Sequence, residues 1–395
     1  MAWEVYTFDV PTGRLLASID IPSLLWTLTV SSCSLSTTRE KGLGEGDASG
    51  LTVPWTALSA ESQDGRVSQL APYRRGIVLG WDGAPVVAGM VGMRTDSALD
   101  TRFDLVSPLD FLASRYVVHE EMFGAGEGST THDNINFSGM SLRGIAAEIG
   151  VLATEDKPGG HLPILWQYTG EGGSHERTYH GYNVSNNSAK KLITEIADVD
   201  GGPDMQLRPR ILPDNRLEWV FLAGSDAEPY LTQADGIPTI TWYRGGGTCD
   251  DIKVAHGAPT MRVYATGSGQ DEGTLCHLSE DMRLCHTRDP WPLVEGTASS
   301  TDWDNADLVA RHGDARLSAG GSPIAQVTCS VHASDAACPV TPGVVWPGQL
   351  VDLFVEGHPA LPDGIYTMRL MEMSGRLSDE VKLTFDPIPD PWEAL

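Results

Sequence analysis

The stretch that most constrains the fold runs from Pro347 to Asp386 near the C-terminal end of the sequence. Val351, Leu353 and Val355 alternate with Asp352, Phe354 and Glu356, and Val381, Leu383 and Phe385 alternate with Lys382, Thr384 and Asp386. Period-2 alternation is the signature of half-buried strands. Pro362-Asp363-Gly364 reads as a turn, with Pro fixing the first corner and Gly364 taking positive φ at the exit. Ile365 to Met373 then forms the strand between, and Ser374-Gly375 is expected to break it. Such a meander buries too little by itself to stand. It must close against other strands of the chain or against other copies.

The rest of the chain offers enough material for that closure. Its 395 residues suggest about two to four domains. A hydrophobic content of 41% together with 11 Trp places it among folded chains. The net charge of −26 argues against gripping nucleic acid, because phosphate contacts need Lys and Arg. It suits solubility, or a surface that polyanions must pass without sticking. No run of 18 apolar residues exists, and Met1 to Asp9 lacks the basic and apolar regions of a secretory signal. The expectation is folding in a cytoplasm, where six Cys stay mostly reduced.

Residues 1–115 read as a first β domain. Leu24, Trp26, Leu28 and Val30 mark one strand, and Arg75 to Met93 a hairpin about Trp81-Asp82-Gly83-Ala84, since Asp-Gly is a strong hairpin signal. The polar loop with Gly42, Gly44, Gly46 and Gly50 is no dinucleotide fingerprint: Asp47 stands where the third glycine belongs, and no helical pattern follows. Phe103 to Arg115 reads as a strand running into a short Leu-Asp-rich helix.

Residues 116–245 read as α+β. One helix is expected over 141–152, with Ser141 as N-cap and Leu142, Ile145, Ile149 and Leu152 on one face. A second is expected over 188–200, capped by Ser188 and stopped by Gly201-Gly202-Pro203. Strands Met205 to Ile211 and Leu217 to Leu222 follow across Pro213-Asp214-Asn215. Residues 246–303 are a poorly readable β connector, with strand patterns over 248–257 and 260–266. Residues 304–386 form a closing β domain entered by a helix over 305–317, and 387–395 a tail.

Taken in order, these motifs resemble a known family. A hairpin of the form strand, DGAPVVAG, strand is followed by the Leu-Asp-rich helix ending at Arg115. The run NNSAKKLITEIADVDGGPDMQLRPRI is the most specific match, and PGQ, strand, GHP, PDGIY, strand closes the chain. This series is similar to the tail-tip hub proteins of siphophages, the minor tail proteins related to the central hub of contractile-tail baseplates. The resemblance covers most of the chain and is weakest over 246–303. It implies a mainly β fold with an α+β middle, built as two β-barrel-like, tail-tube-type domains plus an α+β domain. It implies no catalytic, metal or cofactor residues. It implies a homotrimer at the virion tail tip, made in the host cytoplasm, whose ring continues the tail tube and passes DNA. Its partners would be the distal tail protein, the tape measure protein and a tail fibre or receptor-binding protein, with no sequence-specific nucleic-acid binding. Any hydrolase would then be a separate polypeptide.

The chemical candidates are few. His175-Glu-Arg-Thr-Tyr-His180 looks like HExxH, but its histidines are five apart, about 140° around a helix. Its Gly- and Ser-rich surroundings suggest a loop. Cys276-His277 and Cys285-His286 leave eight residues between the cysteines, as do Cys329 and Cys338. Structural zinc sites favour gaps of about two to four, so reduced thiols are the reading, with a disulfide in the assembled particle as the alternative. Asp302-Trp-Asp-Asn-Ala-Asp307 lacks the glycine and distant glutamate of a calcium loop and reads as a helix N-cap; Asp198-Val-Asp200 reads as the polar end of the second helix. No GxSxG elbow or P-loop is present, and among 53 acidic residues spacing names no glycosidase pair. Two other classes therefore stand beside the structural one: a cell-wall peptidoglycan or glycan hydrolase, and a host receptor-binding module.

Overall fold

The computed structural model describes residues 2–37, 50–199, 201–231, 233, 236–301 and 303–389. The glycine loop around 42–47, Asp200, Asp302 and residues 390–395 of the tail lie outside the described residues. Strand makes up 43% and helix 19%, so the chain is mainly β with its long helices concentrated in the middle and before the closing strands.

The first sheet has six strands, in the spatial order Leu15–Ser18, Trp3–Asp9, Arg75–Trp81, Ala84–Asp96, Asp100–Val106, Leu51–Pro54. Its central hairpin turns at Asp82 and Gly83, both at positive φ (49° and 83°), as a two-residue turn between right-twisted strands requires. Arg75–Trp81 is buried along almost its whole length, which shows that both faces of this sheet are covered. Ile77, Leu79 and Trp81 face one core, and Val78 faces another together with Phe8, Ala88 and Met90.

The first of these cores is shared with the C-terminal meander. Val351, Leu353 and Val355 are fully buried while Leu350 and Glu356 are exposed, as the alternation requires. Leu350–Glu356, Gly364–Arg376 and Glu380–Phe385 pair in antiparallel register within a ten-stranded sheet. Two details differ from the sequence reading. Positive φ falls on Gly357 (75°), whose N–H is held by the Asp363 carboxylate at 2.6 Å, and Gly364 stays outside the left-handed region. Ser374-Gly375 does not end its strand, which runs on to Arg376. The glycine serves packing instead. A Cβ there would stand 3.1 Å from the ring of Trp26, because Leu25–Thr29 from the N-terminal region pairs directly with this strand, Trp26 opposite Gly375 and Leu28 opposite Met373. A glycine in a strand marks such close approach. The edge that the meander was expected to offer to a neighbour is thus covered in part by the chain's own first region.

The second core is the middle of the chain. Leu142–Ala153 begins at Ser141, whose hydroxyl accepts from Gly144 N at 3.0 Å. Ala189–Ala197 begins at Ser188, but that side chain makes no capping bond; Ala189 N donates to Arg115 O at 2.8 Å. This helix ends at Ala197, short of the expected 200. The two helices pack on each other and on the sheet Ile164–Trp166, Leu217–Ala223, Met205–Ile211. Phe8 of the first sheet meets Trp219 edge-on at 5.6 Å. A two-stranded ribbon, Asn134–Met140 with His175–His180, lies beside them.

The connector resolves into two parts. Cys249–Gly257 joins the ten-stranded sheet through Ile324–His332, with a bulge between Asp250 and Lys253. Arg262–Thr266 sits between Cys276–Glu280 and Glu295–Ser299 in a separate sheet. Ala306–Gly320, capped by Asn305 Oδ1 accepting from Leu308 N at 2.9 Å, packs on that sheet. Contact is possible because Gly313 has no Cβ: one would lie 2.7 Å from Ser279 Oγ.

Candidate interaction surfaces

The residues flagged for chemistry do not assemble into a reaction centre. His175–His180 is a strand, not a loop, because it pairs residue by residue with Asn134–Met140 in antiparallel register. His175 and His180 therefore fall on opposite faces. His175 Nε2 is 3.3 Å from Asp226 Oδ2, and His180 Nδ1 is 2.7 Å from Asn134 Oδ1. All six cysteines are free; Cys276 is exposed, while Cys249, Cys329 and Cys338 are buried in the shared core. Burial pushes the Cys33 thiol up to about 12, and the hydrogen bond with Cys249 together with burial raises Cys329 well above the usual thiol range. His277 faces Asp314 and Cys285 faces Met261. Among the described residues no three His, Cys, Asp or Glu side chains are grouped to hold a metal ion. Asn305, within the acidic run, is the N-cap of its helix, and Asp198 is the C-cap of Ala189–Ala197.

One constellation escaped the sequence reading. Ser279 Oγ donates to Asp314 Oδ1 at 2.7 Å, and His277 Nε2 lies 3.8 Å from the same oxygen. Here the carboxylate accepts the serine hydrogen bond and the serine is buried, so the imidazole does not stand between serine and carboxylate as in a Ser-His-Asp triad. The cluster fastens the helix to its sheet.

The surface features that can act are edges, apolar rows and charges. Cys249–Gly257 forms one end of the ten-stranded sheet; its bulge, with Asp251 at φ 50°, and its Asp250, Asp251 and Lys253 side chains blunt the first half of that edge. On the outer face of the same sheet, Thr241, Phe354 and Ile365 stand in one cross-strand row, with Ile365 63% exposed. Met93, in the strand Ala84–Asp96, and Leu99, in the turn that follows it, are separately exposed at 77% and 79%.

Charged side chains tie the parts together. Arg369 reaches from the closing sheet to Asp204 at 2.7 Å and lies 3.4 Å over the ring of Tyr230. Burial pushes the Asp204 carboxyl up, and Arg369 pulls it part of the way back. Arg143 grips Glu171 with two nitrogens at 2.6 Å each, and these bonds hold the carboxyl of Glu171 below its ordinary range. Arg208 donates to Gln206 and stacks over Trp346; burial lowers its guanidinium to about 10.

No family model and no curated protein matches the sequence. Solved structures do. The 43 kDa tail protein of prophage MuSo2 from Shewanella oneidensis aligns over 98% of this chain and 98% of its own, at 9% identity and a TM-score of 0.51. The tail protein from Neisseria meningitidis MC58 aligns over 98% and 96%, at 14% identity and a TM-score of 0.49. The prophage tail protein gp18 from Listeria monocytogenes aligns over 96% and 94%, at 12% and 0.41. From end to end, the chain has the fold of a prophage tail protein.

Proposed function

We propose that this chain is the structural hub of a bacteriophage tail tip. The observation that carries the reading is the fold it shares with the 43 kDa prophage tail protein over 98% of both chains. In this reading 1–115 and 304–386 are the two barrel-like units, with Leu25–Thr29 crossing into the second and Ala306–Gly320 packed on the connector's sheet, while 116–245 is the α+β middle, 246–303 the connector and 387–395 a tail. Three copies stand around an open axis, so that two units per chain present six to the tail tube. The distal tail protein binds above, the end of the tape measure protein lies within, and a tail fibre or receptor-binding protein is carried outside. In this reading neighbouring chains cover the cross-strand row around Ile365. Closed symmetry satisfies such faces without forming fibres. Three copies at −26 each carry −78, so a channel lined even partly by these groups repels DNA phosphates and lets the genome slide.

The test is electron cryomicroscopy of assembled particles. Three copies per tip, with first and last β units alternating around one ring, is the expected result. A monomer at the periphery, or a ring built from only one of the two units, overturns the reading. The role assigns no catalysis, so a zymogram of the purified chain on host cell walls stays dark. Clearing would establish the hydrolase alternative instead. Saturable binding to host cells by the isolated chain is the result that would favour a receptor-binding module.

A further inference from the structure

The two-stranded ribbon carries a feature that the hub role does not use. Its outer face is a ladder of polar cross-strand pairs: Ser138 with Glu176, Asn136 with Thr178 at 2.9 Å, and Asn134 with His180 at 2.7 Å. Where the ladder meets the Ala189–Ala197 helix, an open pocket of about 340 Å³ forms. Its lining is largely polar, with half-buried Tyr179 and buried Leu192 as the less polar members. The His180 ring lines one side, fixed by Asn134 and by Tyr182, which lies nearly parallel to it at 5.1 Å and 15°. On the other side runs a relay. Lys191 Nζ donates to Asn186 Oδ1 at 3.2 Å, and Asn186 Nδ2 donates to Asn183 Oδ1 at 2.7 Å. The Asn183 amide nitrogen has no partner among the described residues, and the carboxylate of Glu195 lies 3.7 Å from Lys191.

We propose that this pocket binds a neutral saccharide. A flat ring braced from behind offers a face for the C–H groups of a pyranose, since an aromatic body is apolar with a polar rim. Amide, ammonium and carboxylate groups side by side supply the mixed donors and acceptors that adjacent hydroxyls need. Lys191 and Glu195 offset one another, so the pocket offers no net charge to a phosphate. Its volume is at the small end for ligand sites, which suits one sugar unit at a chain end or branch. The inference does not rest on the hub reading: a tail hub without this site and a sugar site on a chain that is no hub are separate outcomes.

The experiment is saturation-transfer NMR on the full chain with four methyl glycosides: glucoside, galactoside, N-acetylglucosaminide and rhamnoside. At least one should show transfer, with a Kd on the order of millimolar, as expected for one small ligand on an open site. The Asn183→Ala/Lys191→Met double variant should weaken that binding by roughly tenfold or more, the weight of a charged hydrogen bond. Both side chains lie at the surface, so an unchanged melting curve certifies the fold. Tyr264→Ser, on the separate three-stranded sheet, should leave binding as it was. Absence of transfer from all four glycosides overturns the proposal, as does equal binding by the double variant.

Discussion

Two regions of this molecule use helices and sheets of similar size and obtain very different burial. In the middle region, Leu142–Ala153 buries eight of its twelve residues against a sheet core. In the appended unit, Ala306–Gly320 buries only Val309 and Gly313 of fifteen. The first helix belongs to a stack of layers in which the six-stranded sheet is covered on both faces. The second lies on a three-stranded sheet whose outer face shows Tyr264 and Leu278 to solvent. It is fastened by Ser279–Asp314, by the Trp303–His312 stack at 4.3 Å, and by Thr260 N donating to Gly320 O. Each fully buried large side chain contributes about 1.5–3 kcal/mol, whereas a single hydrogen bond nets about 1. The layered body should therefore unfold as one unit, and the appended unit should open below it.

Four experiments sharpen or break this contrast. The largest effect belongs to Phe8→Ala, which empties the contact between the first sheet and Trp219 and should cost about 3–5 kcal/mol. Denaturant unfolding followed by tryptophan emission should show the whole main transition shifting; movement of only part of it would mean that the first sheet is not a common wall. Next comes Gly375→Val, which drives side-chain atoms into Trp26 and should cost toward the upper end of about 1–3 kcal/mol in that same transition. Gly313→Leu should act locally, lifting the helix off its own small sheet and so costing the main transition less than either. Limited proteolysis should speed up within 262–320 while the main transition stays in place, and a shift of the main transition would erase the distinction between the regions. The smallest effect is expected from pH at Glu171. Its carboxyl is held low by Arg143 first, then by Ser141, so the stabilisation is present above the ordinary carboxylate range and is lost as pH falls through the lowered folded value. The pair is partly exposed and contributes no more than about 1 kcal/mol. Glu171→Gln should flatten that acid limb of the stability curve, and an unchanged limb would show the contribution to be nil.

The sequence was most legible where one periodicity ran uninterrupted. Val351 to Glu356 could be placed face by face because each inward residue is aliphatic, and the helix over 141–152 because its apolar stripe returns every turn. Legibility failed where a residue's role is set by a partner far along the chain. Gly375 looks like a strand breaker until Trp26 is seen against it. Cys276–Glu280 and Glu295–Ser299 carry too few apolar residues to announce strands, and the pairing of Arg262–Thr266 with Glu295–Ser299 is parallel, which needs a long connection that local signals do not mark. The saccharide pocket had a faint signal that went unread: Asn134, Asn136 and Ser138 alternate with inward Ile135 and Phe137, and Glu176, Thr178 and His180 do the same on the facing strand. The cluster of Ser279, His277 and Asp314 had none, since its members meet only when the helix docks.

The pairing of Leu25–Thr29 with Gly364–Arg376 sets a schedule for the newborn chain. Trp26 Nε1 donates to Arg376 O, 350 residues onward. At about 5–20 residues per second on the ribosome, that partner emerges roughly 20–70 s after the tryptophan. During the wait this hydrophobic strand has Cys33–Ser36 along one edge but no partner along the other. Contacts of such long range are the slow step of folding. A chain built this way cannot close its first region until Gly364–Arg376 has been translated, so a copy terminated before that point would carry an unsatisfied strand edge.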